Sequence, residues 1–162
     1  MYFYNAVNKM IKKYSFTILF VLTTFLSFGQ ILDPVHWTYS AKHINGNNYE
    51  LTFTAKIDEG FHIFSQTLPE NATPMPTVIS FTDTKDFELV GKTIESGKFS
   101  EMEDWDKTKL KIFEGEAIFK QTVKMITKNN VVKGTISFMK CDHDKCLPPE
   151  DIDYEIKLPS LN

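Results

Sequence analysis

From Asn48 to Ile57 the apolar residues Tyr49, Leu51, Phe53, Ala55 and Ile57 alternate with Glu50, Thr52, Thr54 and Lys56. A period of two predicts a strand with one face in a core and the other in water. Asp58-Glu59-Gly60 then predicts a turn, and Phe61-His62-Ile63-Phe64 a second strand running back beside the first. Further β-type segments fall at residues 36–41, 77–81, 87–90, 112–113, 116–125, 131–139 and 152–158. Turn chemistry separates them at Asn45-Gly46-Asn47, Pro69 to Pro76, Glu95-Ser96-Gly97, Glu114-Gly115 and Lys128-Asn129-Asn130. No stretch keeps a 3.6-residue period for twelve residues or more. Many short strands at near-regular spacing predict an all-β fold, an immunoglobulin-like antiparallel β-sandwich, with a small β-barrel as the alternative.

Two segments depart from the pattern. Residues 68–77 carry Pro69, Pro74 and Pro76, which withhold backbone donors and predict a connecting loop or an edge. Residues 100–109 (SEMEDWDKTK) are polar except for Met102 and Trp105, so Trp105 is expected either to plug the core or to act as a lid. Asn71-Ala72-Thr73 fits a glycosylation triplet by pattern alone.

At the amino terminus Lys9, Lys12 and Lys13 precede an apolar run of thirteen residues, 16–28 (FTILFVLTTFLSF), followed by Gly29-Gln30 and the turn-like Asp33-Pro34. The run falls short of the roughly 20 residues that span a bilayer, and the arrangement reads as a secretory signal peptide cleaved near Gln30. Residues 1–30 are therefore assigned to the signal and residues 31–162 to one β-sandwich domain, not membrane-spanning when mature. Three of the 18 basic residues fall in the first thirty positions and all 21 acidic residues fall after them. The remainder carries 15 lysines against 21 carboxylates, net −6, and no arginine. An acidic, arginine-free domain argues against nucleic acid as a partner. The absence of GxGxxG, P-loop, HExxH and GxSxG patterns leaves nucleotide and common hydrolase chemistry without a foothold.

Chemistry concentrates in Cys141-Asp142-His143-Asp144-Lys145-Cys146-Leu147-Pro148-Pro149-Glu150, which holds the only two cysteines. Two cysteines of an exported protein most simply form a disulfide. Bridged α-carbons lie about 4.4–6.8 Å apart, so residues 142–145 must turn back. Closing so small a ring contributes only about 2 kcal/mol, and the bond ties no distant strands together. Small, turn-constrained, exposed disulfides tend to be exchangeable. His143 and Lys145 favour a thiolate and Asp142 and Asp144 oppose it, so the local charges do not single out a sulfur. A hairpin staple without turnover is the bland alternative. A zinc site of Cys141, Cys146 and His143 would lack a fourth ligand, and no metal or other cofactor is expected.

This run, set between a strand ending at Met139 and a final strand, resembles the amino-terminal periplasmic domain of the DsbD thiol:disulfide interchange proteins. The segment Lys56 to Phe64 is similar to the family's aromatic strand beside the active site, and Glu103-Asp104-Trp105 to its acidic loop, whose aromatic residue caps the cysteines. The resemblance implies an immunoglobulin-like fold in the periplasm with Cys141 and Cys146 as the redox pair, Cys146 exchanging and Cys141 resolving. It implies Trp105 as the cap, Glu103, Asp104, His62, Phe64 and His143 as surroundings, and thioredoxin-like redox proteins as partners. The family places five residues between its cysteines and tyrosines at the positions of His62 and Phe64; this chain has four residues there, and His62 and Phe64 themselves. The chain carries no multi-helix membrane section and no Cys-x-x-Cys domain, so a separate membrane electron transporter would supply the electrons. The competing function is a non-catalytic exported β-sandwich that binds a protein or glycan through the loop at Pro69 to Pro76 and the Phe61/His62 face.

Overall fold

The structure is a computed structural model that describes residues 32–82 and 84–160 of the 162-residue chain. The signal-peptide reading of residues 1–30 lies outside the described residues. Nine strands are present among the described residues: β1 (Val35–Asn45), β2 (Asn48–Ile57), β3 (His62–Phe64), β4 (Val78–Thr82), β5 (Phe87–Glu103), β6 (Lys109–Met125), β7 (Val131–Phe138), β8 (Lys140–Cys141) and β9 (Glu150–Lys157). They form two antiparallel sheets, one ordered β1-β2-β6-β3-β8 with β5 also on β6, the other β4-β7-β9. The immunoglobulin-like sandwich expected from the sequence is the fold observed.

The alternation in β2 does what the pattern predicts: Leu51, Phe53 and Ala55 are fully buried, and Glu50 on the other face pairs with Lys120. Facing them from the second sheet are Ile79, Val132, Ile136, Phe138, Tyr154 and Ile156. Rings set the sheet spacing, with Tyr154 edge-on to Phe53 at 4.9 Å and Trp37 edge-on to Phe138 at 5.4 Å. Tyr154 also donates its hydroxyl to the Ser80 carbonyl at 2.8 Å, beside Gly134, where a Cβ would collide with both groups.

Three expectations are corrected. The segment 61–64 does not run back beside β2, because β1 and β6 already occupy both edges of β2. Instead β3 inserts between the first half of β6 and β8. Glu95-Ser96-Gly97 and Glu114-Gly115 are not chain reversals: they lie inside two 17-residue strands, where the β5–β6 register shifts between Gly97 and Phe99 and Gly115 takes φ +72°. Glycine serves bulges and turns alike, so its presence alone did not distinguish them. Residues 100–109, set apart from the strands by their polarity, instead complete a hairpin in which Met102 faces Leu110 and Glu103 faces Lys109.

Candidate functional site

The cysteine hairpin is an excursion from one sheet to the other. β7 belongs to the three-stranded sheet; after Met139 the chain crosses to pair β8 with β3, turns, and re-enters the three-stranded sheet as β9. Lys140 pins the crossing. Its side chain is 7% exposed and its ammonium pairs with Asp33, at 3.0 Å, and with Glu150, so the amino-terminal segment and both ends of the excursion meet on one cation. Burial alone would disfavour the charge, but the hydrogen bonds and charges of Glu150 and Asp33 outweigh it and hold the Lys140 pKa above its usual value.

Within the excursion Cys141 and Cys146 are joined by a disulfide across a Cα–Cα distance of 4.0 Å. The turn between them is closed by the Asp142 N–H donating to the Lys145 carbonyl at 2.9 Å and the Leu147 N–H donating to the Lys140 carbonyl at 2.8 Å. The Asp142 carboxylate accepts the N–H groups of Asp144 and Lys145, each at 2.8 Å, and these bonds hold its pKa below the usual carboxylate range. His143 stands exposed on the turn.

The two sulfurs occupy different surroundings. Cys141 is 1% exposed and packs with Phe64, Leu110 and Ile112, flanked by Leu68, Ala72, Met102 and Met139. Cys146 is exposed, and the exposed Pro148 and Pro149 follow it without backbone donors to extend pairing. β3 borders the site: His62 is the ladder partner of Cys141, and its ring meets Phe64 edge-on at 5.4 Å. His62 is 4% exposed and its Nε2 is buried without a hydrogen-bond partner. Burial pushes its pKa down; the Glu114 and Asp142 carboxylates push it up and His143 pushes it further down, with a net lowering.

Trp105 lies at the tip of the β5–β6 hairpin with 82% of its surface exposed, so it does not plug the core. Its indole N–H donates to Thr73 Oγ1 at 2.9 Å, and Asn71 donates to Asp106 at 3.1 Å and to Thr108 at 2.7 Å. Asp104 receives the Trp105 N–H and, at 3.4 Å, that of Thr73, while Glu103 is exposed beside Lys109. The tip is thereby stitched to the proline-bearing loop. Deeper in the hairpin Glu95 accepts from Ser65, from the Gln66 N–H and from Lys111 at 2.6, 2.8 and 3.0 Å. Burial would raise its pKa, but these bonds more than offset that and lower it.

Reading the sequence did not single out Met102 and Leu110 as wall residues, nor Glu114, which it treated as part of a turn. Glu114 follows Phe113, the ladder partner of Ile63, and its charge acts on His62. The only local clue was the apolar pair Met102 and Leu110 flanking an acidic run.

Fold and site together define an antiparallel β-sandwich that presents a two-cysteine hairpin at the rim between its sheets, one sulfur open and one covered. No protein-family model and no curated protein matches the sequence. Among solved structures the chain is similar to the DsbD N-terminal domain of Neisseria meningitidis in its reduced form, at 16% identity over 78% of this chain and 90% of that one, TM-score 0.51. It is also similar to the N-terminal periplasmic domain of ScsB from Proteus mirabilis, at 14% identity over 78% of this chain and 47% of that one, TM-score 0.59. The resemblance read from the cysteine run thus holds at the level of the fold, which is that of DsbD N-terminal domains.

Proposed function

We propose that this chain is an exported thiol–disulfide interchange domain that relays electrons between a thioredoxin-like donor and protein disulfides of the periplasm through Cys141 and Cys146. Residues 1–30 act as its export signal, and a separate membrane transporter supplies the donor with electrons. The observation that carries the reading is the division of one small disulfide, closed over a sequence separation of 5, between an exposed and a buried cysteine.

Exchange requires a thiolate to approach a disulfide sulfur, and access decides which one. The donor thiolate attacks Cys146 Sγ, a bond forms between donor and Cys146, and the Cys141–Cys146 bond breaks with its electron pair passing to Cys141 Sγ. The donor's second thiol, on losing its proton, attacks its own sulfur in the mixed disulfide. The donor leaves oxidised, and two electrons and two protons remain on the cysteine pair. With an oxidised acceptor the sequence runs backwards, Cys146 attacking and Cys141 resolving. The hairpin tip with Glu103, Asp104 and Trp105 caps the pair between encounters, and His62, Phe64 and His143 line its surroundings.

Removing the resolving cysteine leaves the mixed disulfide without an internal exit. Cys141→Ala is therefore expected to accumulate a covalent complex with a thioredoxin-like protein in cell envelopes, separable on a non-reducing gel, whereas Cys146→Ala is not. Complexes with Cys146→Ala alone would reverse the roles. None with either variant would leave a binding module with a structural hairpin disulfide.

A further inference from the structure

His62 holds a buried polar atom that no neighbour satisfies. Buried polar atoms are almost always hydrogen-bonded, and an exception calls for a specific cause. Its Nε2 lies buried without a partner, on the ladder rung opposite Cys141. Directly opposed residues of antiparallel strands project to the same face, with Cβ atoms about 4.5–5.5 Å apart. On the other side of β3, Glu114 follows Phe113, the partner of Ile63, and lies close enough to His62 for its charge to act on the imidazole. His62 therefore has Cys141 opposite it on β8 and the Glu114 carboxylate of β6 within electrostatic reach. In the disulfide neither sulfur carries a proton. Reduction creates a thiol at Cys141, and with it a new donor on the rung opposite His62.

We propose that His62 is the proton acceptor of the resolving step, with Glu114 steadying the imidazolium that forms; the proposal rests on the interchange reading above. When Cys146 is joined to an acceptor protein, Cys141 must ionise before it can attack, and its apolar wall of Phe64, Leu110 and Ile112 disfavours a thiolate. Neutral His62 takes the Cys141 proton as Cys141 Sγ attacks Cys146 Sγ. The Cys141–Cys146 bond forms, the bond from Cys146 to the acceptor breaks, and its electron pair leaves on the acceptor sulfur as a thiolate. The proton passes from His62 to that thiolate or to water. The mixed disulfide is the oxidant, so the step needs no other reagent. In the reverse direction the imidazolium returns the proton to the departing Cys141. The arrangement of nucleophile, base and carboxylate is one used by many covalent enzymes. The charged groups that act on His62 are Glu114 from β6 and Asp142 and His143 from the cysteine turn, while Lys140 on β8 is engaged by Asp33 and Glu150. Burial keeps His62 below its ordinary pKa, hence neutral and ready to accept at pH 7.

The test uses the reduced protein and 5,5′-dithiobis(2-nitrobenzoate). Capture at exposed Cys146 releases one thionitrobenzoate, and attack by Cys141 releases the second, so the second phase reads the resolving step alone. His62→Phe is expected to slow that phase about 100-fold at pH 7, within the range for loss of a general base, and to leave the first unchanged. The wild-type second phase falls on acidification with a midpoint below pH 6.5, the ordinary histidine value; the variant instead speeds up with pH until the thiol itself ionises. His62→Gln, which keeps hydrogen bonding but not basicity, is expected to be as slow as His62→Phe. Glu114→Gln, at a half-buried position that does not endanger folding, slows the phase severalfold and moves the acid limb to lower pH. A second phase unchanged in His62→Phe, restored by His62→Gln, or insensitive to Glu114→Gln in rate and pH midpoint overturns the role of His62. A wild-type protein that releases no second thionitrobenzoate overturns the interchange reading itself, and this proposal with it.

Discussion

Cys141 and Cys146 share a bond but not a solvent, and the residues around them set that difference. Their neighbour His62 makes the surroundings measurable through pH. Its pKa is lowered chiefly by burial, so the unfolded chain takes up a proton near pH 6.5 while the folded protein resists until lower pH. The unfolded state then binds more protons, and stability, full above pH 6.5, declines as pH falls toward the folded value. His62→Phe is expected to flatten the urea-unfolding free energy over this window, down to about pH 4.5, below which the carboxylates titrate in both proteins. Equal slopes in the two proteins would refute the assignment. A second residue-scale expectation concerns Gly134, whose missing side chain leaves room for the Ser80 carbonyl and the Tyr154 hydroxyl. Gly134→Ala should cost about 2–3 kcal/mol by overpacking, read as a lower urea midpoint.

At the scale of elements the β5–β6 hairpin carries the proposed cap. Glu95 fastens it to the chain after β3, and its side chain is only 15% exposed. Glu95→Ala strands Ser65, the Gln66 N–H and Lys111, and should destabilise by about 2 kcal/mol. The tip depends on Trp105 and Thr73, and the hairpin's Met102 and Leu110 pack with Cys141. Trp105→Ala removes one tie worth about 1 kcal/mol, which should raise the open fraction of the cap about fivefold. Reduction by dithiothreitol is expected to quicken by a similar factor, because an opened cap hydrates the leaving Cys141; an unchanged rate would leave the tip without a capping role. How legible each element was follows from its place in the sheets. β2 is central, and its alternation could be read because both of its faces meet different media. β5 is an edge strand whose Leu89, Val90, Ile94 and Phe99 are 46, 46, 68 and 58% exposed, so no two-sided pattern marked its 17 residues. The disulfide was readable from compartment and count. Pro148-Pro149, which withhold donors after Cys146, marked its open position; the burial of Cys141 was not legible, since it depends on Asp33 reaching Lys140 across 107 positions and on a hairpin folding over Cys141.

Across the whole molecule the parts that fold the sandwich are distinct from the disulfide proposed to perform exchange. The core rests on interdigitated rings between the two sheets, whereas the disulfide closes a loop with a sequence separation of 5. Such a ring contributes about 2 kcal/mol, so the double variant Cys141→Ala/Cys146→Ala should keep its far-UV β signal and lose stability by no more than that. The most direct test of the central claim is an equilibrium titration of the protein against a glutathione redox buffer, with thiols counted by mass spectrometry and the fold followed by circular dichroism. An exchanging pair gives one reversible two-electron transition at a potential above about −300 mV, with the β signal unchanged from end to end. A pair that stays oxidised throughout the buffer's range, or a β signal that collapses as the thiols appear, would contradict it.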